Sequence, residues 1–226
     1  MKKYALAAVL LLTLVTPALA GRAPNTPTTG SVSADGHWTC SGPVAIDQLT
    51  VTNHGSGDAV TLRAGCTGTI ARVNVTGVVN GDGIKVQGGV HDLTIDGGVV
   101  ACAGRSTDGT HQDGTQVMGG TNILFRNVVF DCYGGGGGNL FIQQAGGQTP
   151  TNVVCVHCTL GPNHPNNINL GPSVRSGARD SLVCKTRNPA YRDPGATNPV
   201  NVGNEYAKSG DPRCASTATL AAWASS

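Results

Sequence analysis

The residues of this chain best suited to chemistry lie in one short stretch, Asp108-Gly-Thr-His111-Gln-Asp113-Gly-Thr-Gln116. Two Asp-Gly pairs flank His111 there. Imidazole is the side chain that exchanges a proton near neutral pH without help from its surroundings. A carboxylate beside it can orient the ring or share a cation. The plainer reading is a turn, in which Gly takes a positive φ and Asp binds local amides. What decides between them is which other side chains the fold brings alongside.

The second half of the stretch has echoes on either side. Asp58-Ala-Val60-Thr-Leu62 and Asp82-Gly-Ile84-Lys-Val86 precede Asp113-Gly-Thr115-Gln-Val117. Gly138-Asn-Leu140-Phe-Ile142 and Asn166-Asn-Ile168-Asn-Leu170 follow it. The unit recurs every 24–31 residues, a spacing that signals a solenoid. A second family interleaves with it: Leu49-Thr-Val51, Val73-Asn-Val75, Leu93-Thr-Ile95, Ile123-Leu-Phe125 and Val153-Val-Cys155. Apolar residues alternate with period two in both, as in strands with one buried face. Each pass of the chain thus supplies strand, bend, short strand, loop and strand.

This order predicts an all-β fold, a right-handed parallel β-helix of about six rungs over residues 38–184. Residues 21–37 read as a loose leader, and 185–226 as a loop-rich cap that buries Leu220 and Trp223. In this register Thr61, Lys85, Gln116, Phe141 and Asn169 form one outward column. Arg63, Gln87, Met118, Gln143 and Gly171 form the next. The longest loop, 103–112, delivers Arg105, Asp108 and His111 to the same face. Gln87, Gln116, Phe141, Gln143 and Asn169 are the candidate binding residues on it. The Gly134–Gly138 run reads as a flap over it.

Lys2 and Lys3, an apolar run and Ala18-Leu19-Ala20 read as a secretory signal peptide cleaved near Ala20. Without those two lysines, the 15 Lys and Arg balance the 13 Asp and Glu. Nothing in that charge points to nucleic acid, and no later run is long enough to span a bilayer. The mature chain is expected to be a secreted monomer. All eight Cys follow the signal, which predicts a disulfide-bonded chain. Cys40 with Cys66 and Cys102 with Cys132 are each about one rung apart, within reach of a bridge. Cys184 with Cys214 is the third expected pair. Cys155-Val-His-Cys158 reads as buried or bridged cysteines rather than a zinc site, because i and i+3 in a strand point to opposite faces.

Rungs of this kind, with Asp-Gly opening a strand, resemble the secreted pectate lyase-like β-helix superfamily. His111-Gln-Asp113-Gly-Thr-Gln116 also resembles the Asn-Thr-Asp-Gly segment of polygalacturonases, although the paired Asp, Gly-His-Gly and Arg-x-Lys motifs of those hydrolases are absent here. The resemblance covers about residues 44–184. It implies an acidic polysaccharide as partner and β-elimination as the reaction. On it, Lys85 or His111 is the base, Arg105 neutralises the uronate carboxylate, and Asp82, Asp108 and Asp113 are ligands for Ca2+. Such a reaction needs positive charge where the dianionic intermediate forms. A polygalacturonase-like hydrolase and a non-catalytic glycan-binding, envelope or coat protein are the alternatives.

Overall fold

The structure, a computed structural model, describes residues 26–134, 136–218 and 220. They form two sheets, one of fourteen strands and one of seven. Pairing between the named strands is parallel throughout. The seven-stranded sheet takes Trp38–Cys40, Val60–Leu62, Ile84–Val86, Thr115–Val117, Leu140–Ile142, Ile168–Leu170 and Tyr191–Arg192 in that spatial order. After each of these strands the chain crosses the wider sheet before returning. Parallel neighbours need a long crossover, and here the opposite sheet supplies it. Each strand therefore pairs with its counterpart one pass earlier and one pass later, the pairing of a parallel solenoid.

The core lies between the two sheets. Val60, Leu62, Ile84, Val86, Val117, Leu140, Ile142, Ile168 and Leu170 are wholly buried from one side. Leu49, Val51, Val73, Val75, Leu93, Ile95, Ile123, Phe125 and Val153 meet them from the other. Each such side chain contributes roughly 1.5–3 kcal/mol. Phe125 packs edge-on against Phe130 at 5.7 Å.

Columns of left-handed residues bend the strands of the wider sheet. Asp92, Asn122, Asn152, Arg175 and Asn198 have φ of 48–55° and stack from pass to pass. Gly97, Asn127, His157, Asp180 and Gly203 form a second such column. Asn and Asp tolerate this region better than other residues with a Cβ. In the first column Asn152 Nδ2 donates to Asn122 Oδ1 at 3.0 Å, and Asn122 Nδ2 donates to Asp92 Oδ1 at 2.8 Å.

All three expected bridges are present, and Cys155–Cys158 is a fourth. The left-handed turn at His157 (φ 52°) breaks the strand alternation and returns Cys158 to the side of Cys155. Two expected boundaries move. Thr28–Asp35 is not a loose leader but an eight-residue strand paired with Pro43–Thr52. Its Ser, Thr and Gly content hid it, yet Val32 and Ala34 alternate with polar residues and pack on the core. The coil also continues past Cys184, through short strands at 191–192, 196–197, 200–202 and 205–206. The Pro residues there sit at bends and in connections, where no ladder bond is lost. Leu220 is buried with Val129, Leu182 and Ala207, as expected. Trp223 and the signal segment lie outside the described residues.

Candidate functional site

The outward column of the narrow sheet assembles as the repeat requires. Thr61 pairs with Lys85, Lys85 with Gln116, Gln116 with Phe141, and Phe141 with Asn169. Arg192 extends the column beyond Asn169. One residue past each of these strands stand Arg63, Gln87, Met118, Gln143 and Gly171. Each donates its backbone N–H to the preceding pass.

The three template Asp residues stack, and each carboxylate does structural work. Asp58 Oδ1 accepts the Asp82 N–H at 3.0 Å, and Asp82 Oδ1 accepts the Asp113 N–H at 3.0 Å. Asp113 Oδ1 accepts the Gly138 N–H at 2.8 Å. Each thus binds the amide of the residue in its own place one pass later. Asp82 and Asp113 are buried, whereas Asp58 is half-buried. Lys85 Nζ lies 3.3 Å from Asp58 Oδ2 and 3.1 Å from Asp82 Oδ2.

These contacts set the charges. Burial, then the nearby charge of Asp113, lifts the Asp82 carboxyl from 3.8 to about 6. Burial alone would lower the Lys85 ammonium, but the Asp82 and Asp58 carboxylates outweigh it and raise its pKa. Lys85 is therefore held as a cation. Its ammonium supplies the positive charge between Asp58 and Asp82. Among the described residues no group of three or more His, Cys, Asp or Glu is placed to hold a metal ion. Asp108 is occupied locally: its Oδ1 accepts the Ser106 hydroxyl at 2.9 Å and the Thr110 N–H at 3.0 Å, capping its own turn. These donors do not fit the Ca2+ cage expected of Asp82, Asp108 and Asp113.

His111 stands at the edge of the column, with half of its side chain exposed. Its ring lies 6.1 Å from that of Phe141. Its Nδ1 is 3.6 Å from Asp113 Oδ2, longer than a good hydrogen bond. That contact and the charge of Asp113 raise the imidazole above its ordinary pKa. Asp113 Oδ2 has no hydrogen-bond partner, and its contact with His111 is an ion pair at that distance.

On the other side of Asp113 lies a residue that the sequence did not single out. His164 is fully buried, with Nε2 3.3 Å from Asp113 Oδ1. Its Nδ1 accepts the Asn166 N–H at 3.1 Å, which leaves the Nε2 as the protonated nitrogen of the neutral ring. Asn163-His164-Pro165 looks like any loop. Its one signal is position, two residues before the template residue Asn166, as His111 stands two before Asp113.

Gly134 and Gly137 close over this cluster. A Cβ on Gly137 would stand 1.9 Å from Asp113 Oδ1, and one on Gly134 would stand 2.0 Å from His164 Nε2. Only glycine lets the backbone approach so closely.

The remaining candidates are distributed around the column. Gln87 lies in a cleft of about 470 Å³ with Arg63, Met118 and Gln148. Gln143 stands beside this cleft's Met118, one ladder step further along. Arg105 lines a different cleft, of about 360 Å³, with Tyr133, Gly134, His164 and Arg187. Lys85, Gln116, Phe141, Asn169, His111 and Asp113 are thus brought together, while Arg105 and Asp108 stand apart from them. Comparison with family models, with curated proteins and with solved structures gave no match to this chain.

Proposed function

We propose that the chain is a secreted right-handed β-helix protein that binds an acidic glycan along its seven-stranded sheet and cleaves it by β-elimination. The observation that carries this reading is the separation of charge at the column. The reachable groups are Lys85, His111 and, at the far end, Arg192, whereas Gln116, Phe141 and Asn169 between them are buried. The carboxylates Asp82 and Asp113 are buried beneath. A polyanion meets cations there. The buried pair also argues against a polygalacturonase-like hydrolase, which needs two carboxyl groups facing the sugar.

His111 is the base in this account. Lys85 is held protonated by its two carboxylates, so it supplies charge rather than accepting a proton. His111 Nδ1 faces Asp113, which leaves Nε2 free to take the proton from the carbon next to the uronate carboxylate. The electron pair forms a carbon–carbon double bond, and the glycosidic oxygen on the adjacent carbon leaves and takes a proton from water. Asp113 orients the ring and stabilises the imidazolium, as a carboxylate behind a catalytic His does. Lys85 offsets the growing negative charge on the sugar.

The test is the purified protein on pectate, alginate and glycosaminoglycans, followed by the ultraviolet absorbance of an unsaturated product. His111→Ala should lower turnover by roughly 10²–10⁴-fold, the usual contribution of a general base, while polymer binding persists. Binding that depends on Lys85 and Arg192 with no unsaturated product would refute cleavage and leave a non-catalytic glycan-binding protein.

A further inference from the structure

His164 is a buried ionisable group to which the β-elimination scheme assigns no role. The three stacked carboxylates share one pattern. Oδ1 accepts the amide of the next pass, and Oδ2 faces a basic group. That group is Lys85 for Asp58 and Asp82, and His111 for Asp113. Asp113 is the one of the three with an imidazole behind Oδ1, that of His164, whose Nε2 stands 3.3 Å away.

Both side chains are fully buried. The Asn166 N–H donates to His164 Nδ1 at 3.1 Å. Asn or Asp makes such a bond to the residue two places on in many turns, so the bond alone does not require histidine. It does fix the tautomer: the neutral ring carries its proton on Nε2, the nitrogen that faces Asp113. Gly134 and Gly137 close over the pair, and a Cβ on them would overlap His164 Nε2 and Asp113 Oδ1 respectively. With water excluded, an N–H dipole so near a carboxylate is weakly screened.

We propose that His164 is a positioning residue for His111 that acts through Asp113: its Nε2–H holds the carboxylate from behind and keeps Oδ2 turned toward His111 Nδ1. The assignment rests on the reading of His111 as the base. His164 itself touches no substrate and moves no proton. It holds the carboxylate whose contact and charge raise the His111 imidazole. The other charged groups that act on His111 are Asp82, which raises it, and Lys85, which lowers it. A change at His164 leaves both of them chemically untouched.

NMR of the ring nitrogens in the purified protein tests this. In the parent, His164 should be protonated on Nε2 and bare on Nδ1; a proton on Nδ1 would overturn the proposal without any variant. His164→Asn keeps an acceptor for the Asn166 amide and has nothing at the Nε2 position, so it should fold. In it the His111 pKa should fall toward its ordinary value by about half a unit or more, roughly a threefold change in proton affinity. His164→Gln places an N–H near the Nε2 position and should recover most of that shift. A His111 titration that is the same in the parent and in His164→Asn, or the same in the Asn and Gln variants, would overturn the proposal. These readings need no turnover, so a parent protein that yields no unsaturated product fails the cleavage reading alone. On a polymer that is cleaved, His164→Asn should lower kcat by up to about 10²-fold with KM unchanged, the cost of misplacing a catalytic group. The acid limb of the kcat profile should move to lower pH with the His111 pKa. An unchanged kcat and profile there would also overturn the positioning role.

Discussion

Asp82 is the carboxylate through which pH reaches the fold. Burial and the charge of Asp113 raise its pKa to about 6. Between its unfolded value and that one, the folded chain holds a proton that the unfolded chain has released. Stability from this group is therefore present at low pH and lost as pH rises toward about 6. Asp131, raised by burial, acts in the same direction. His111, raised by Asp113, contributes stability below its ordinary pKa that is lost as pH climbs through the raised one. Asp82→Asn should remove the first of these effects. Relative to the parent, the variant should gain about 2–3 kcal/mol between roughly pH 4 and pH 7, since each tenfold change in proton affinity is worth about 1.4 kcal/mol. Denaturant melts across that range would show it, and parallel pH profiles would contradict it. Gly137 offers a steric counterpart. A Cβ there would overlap Asp113 Oδ1, so Gly137→Ala should destabilise by roughly 1–3 kcal/mol, as overpacking does. Gly146→Ala is not a useful control, because its φ of 58° is itself unfavourable to alanine. Gly104→Ala, with open space and an ordinary backbone, should be near neutral.

Among elements, the strand corners carry the regularity. The template's second position is Ala59, Gly83, Gly114, Asn139 and Asn167 in successive passes. At Gly83 and Gly114 a side chain has no room: a Cβ on Gly114 would stand 2.6 Å from Asn139 O. In the later passes Asn fills the corner and binds along the stack. Asn139 Nδ2 donates to Asn167 Oδ1 at 2.7 Å, and Asn167 Nδ2 donates to Cys184 O at 2.7 Å. The outer corner is the αL column of Asn122 and Asn152. Asn152→Ala loses the bond to Asn122 and takes a conformation that costs alanine roughly 1–2 kcal/mol. Asn152→Gly loses only the bond. Thermal melts should therefore rank the parent first, Gly second and Ala last; Ala as stable as Gly would show that this corner is not strained.

Across the whole molecule, the disulfides tie passes together. Cys40–Cys66, Cys102–Cys132 and Cys184–Cys214 span 26, 30 and 30 residues, whereas Cys155–Cys158 spans 3. Loop-closure entropy favours the long bridges, at about 3–4 kcal/mol each against less than about 2 for the short one. Replacing both Cys102 and Cys132 by Ala should accordingly lower the denaturation midpoint more than replacing Cys155 and Cys158. The Cys184–Cys214 bridge also holds the segment that carries Leu220 and Thr217. Thr217 Oγ1 reaches Asp131 Oδ2 at 2.7 Å, which covers the second apolar cluster. Four bridges are typical of extracellular proteins, and among the described residues no helix is long and apolar enough to cross a membrane.

Alternating apolar residues in five-residue units were enough to determine the parallel all-β stacking, the inward row and the outward column from Thr61 to Asn169. A period-two pattern repeated in a constant order has one register that buries every apolar position. Cysteine spacing likewise determined three bridges, because one pass of chain returns to within a disulfide's reach. The ends escaped that logic. Thr28–Asp35 is too polar, and residues 191–206 too rich in Pro and Gly, for pairing to show without the neighbouring strand. The Cys155–Cys158 bridge depended on the φ of one residue, His157. The site was only half legible for a related reason. Asp113, Gln116 and Lys85 belong to the repeat and inherit its register, and His111 stands two residues before Asp113. Arg105, Arg187 and His164 sit in irregular loops, where no period constrains direction. Only the tertiary structure could place His164 behind Asp113 and the two arginines around one cleft, because loop side chains are positioned by what they pack against.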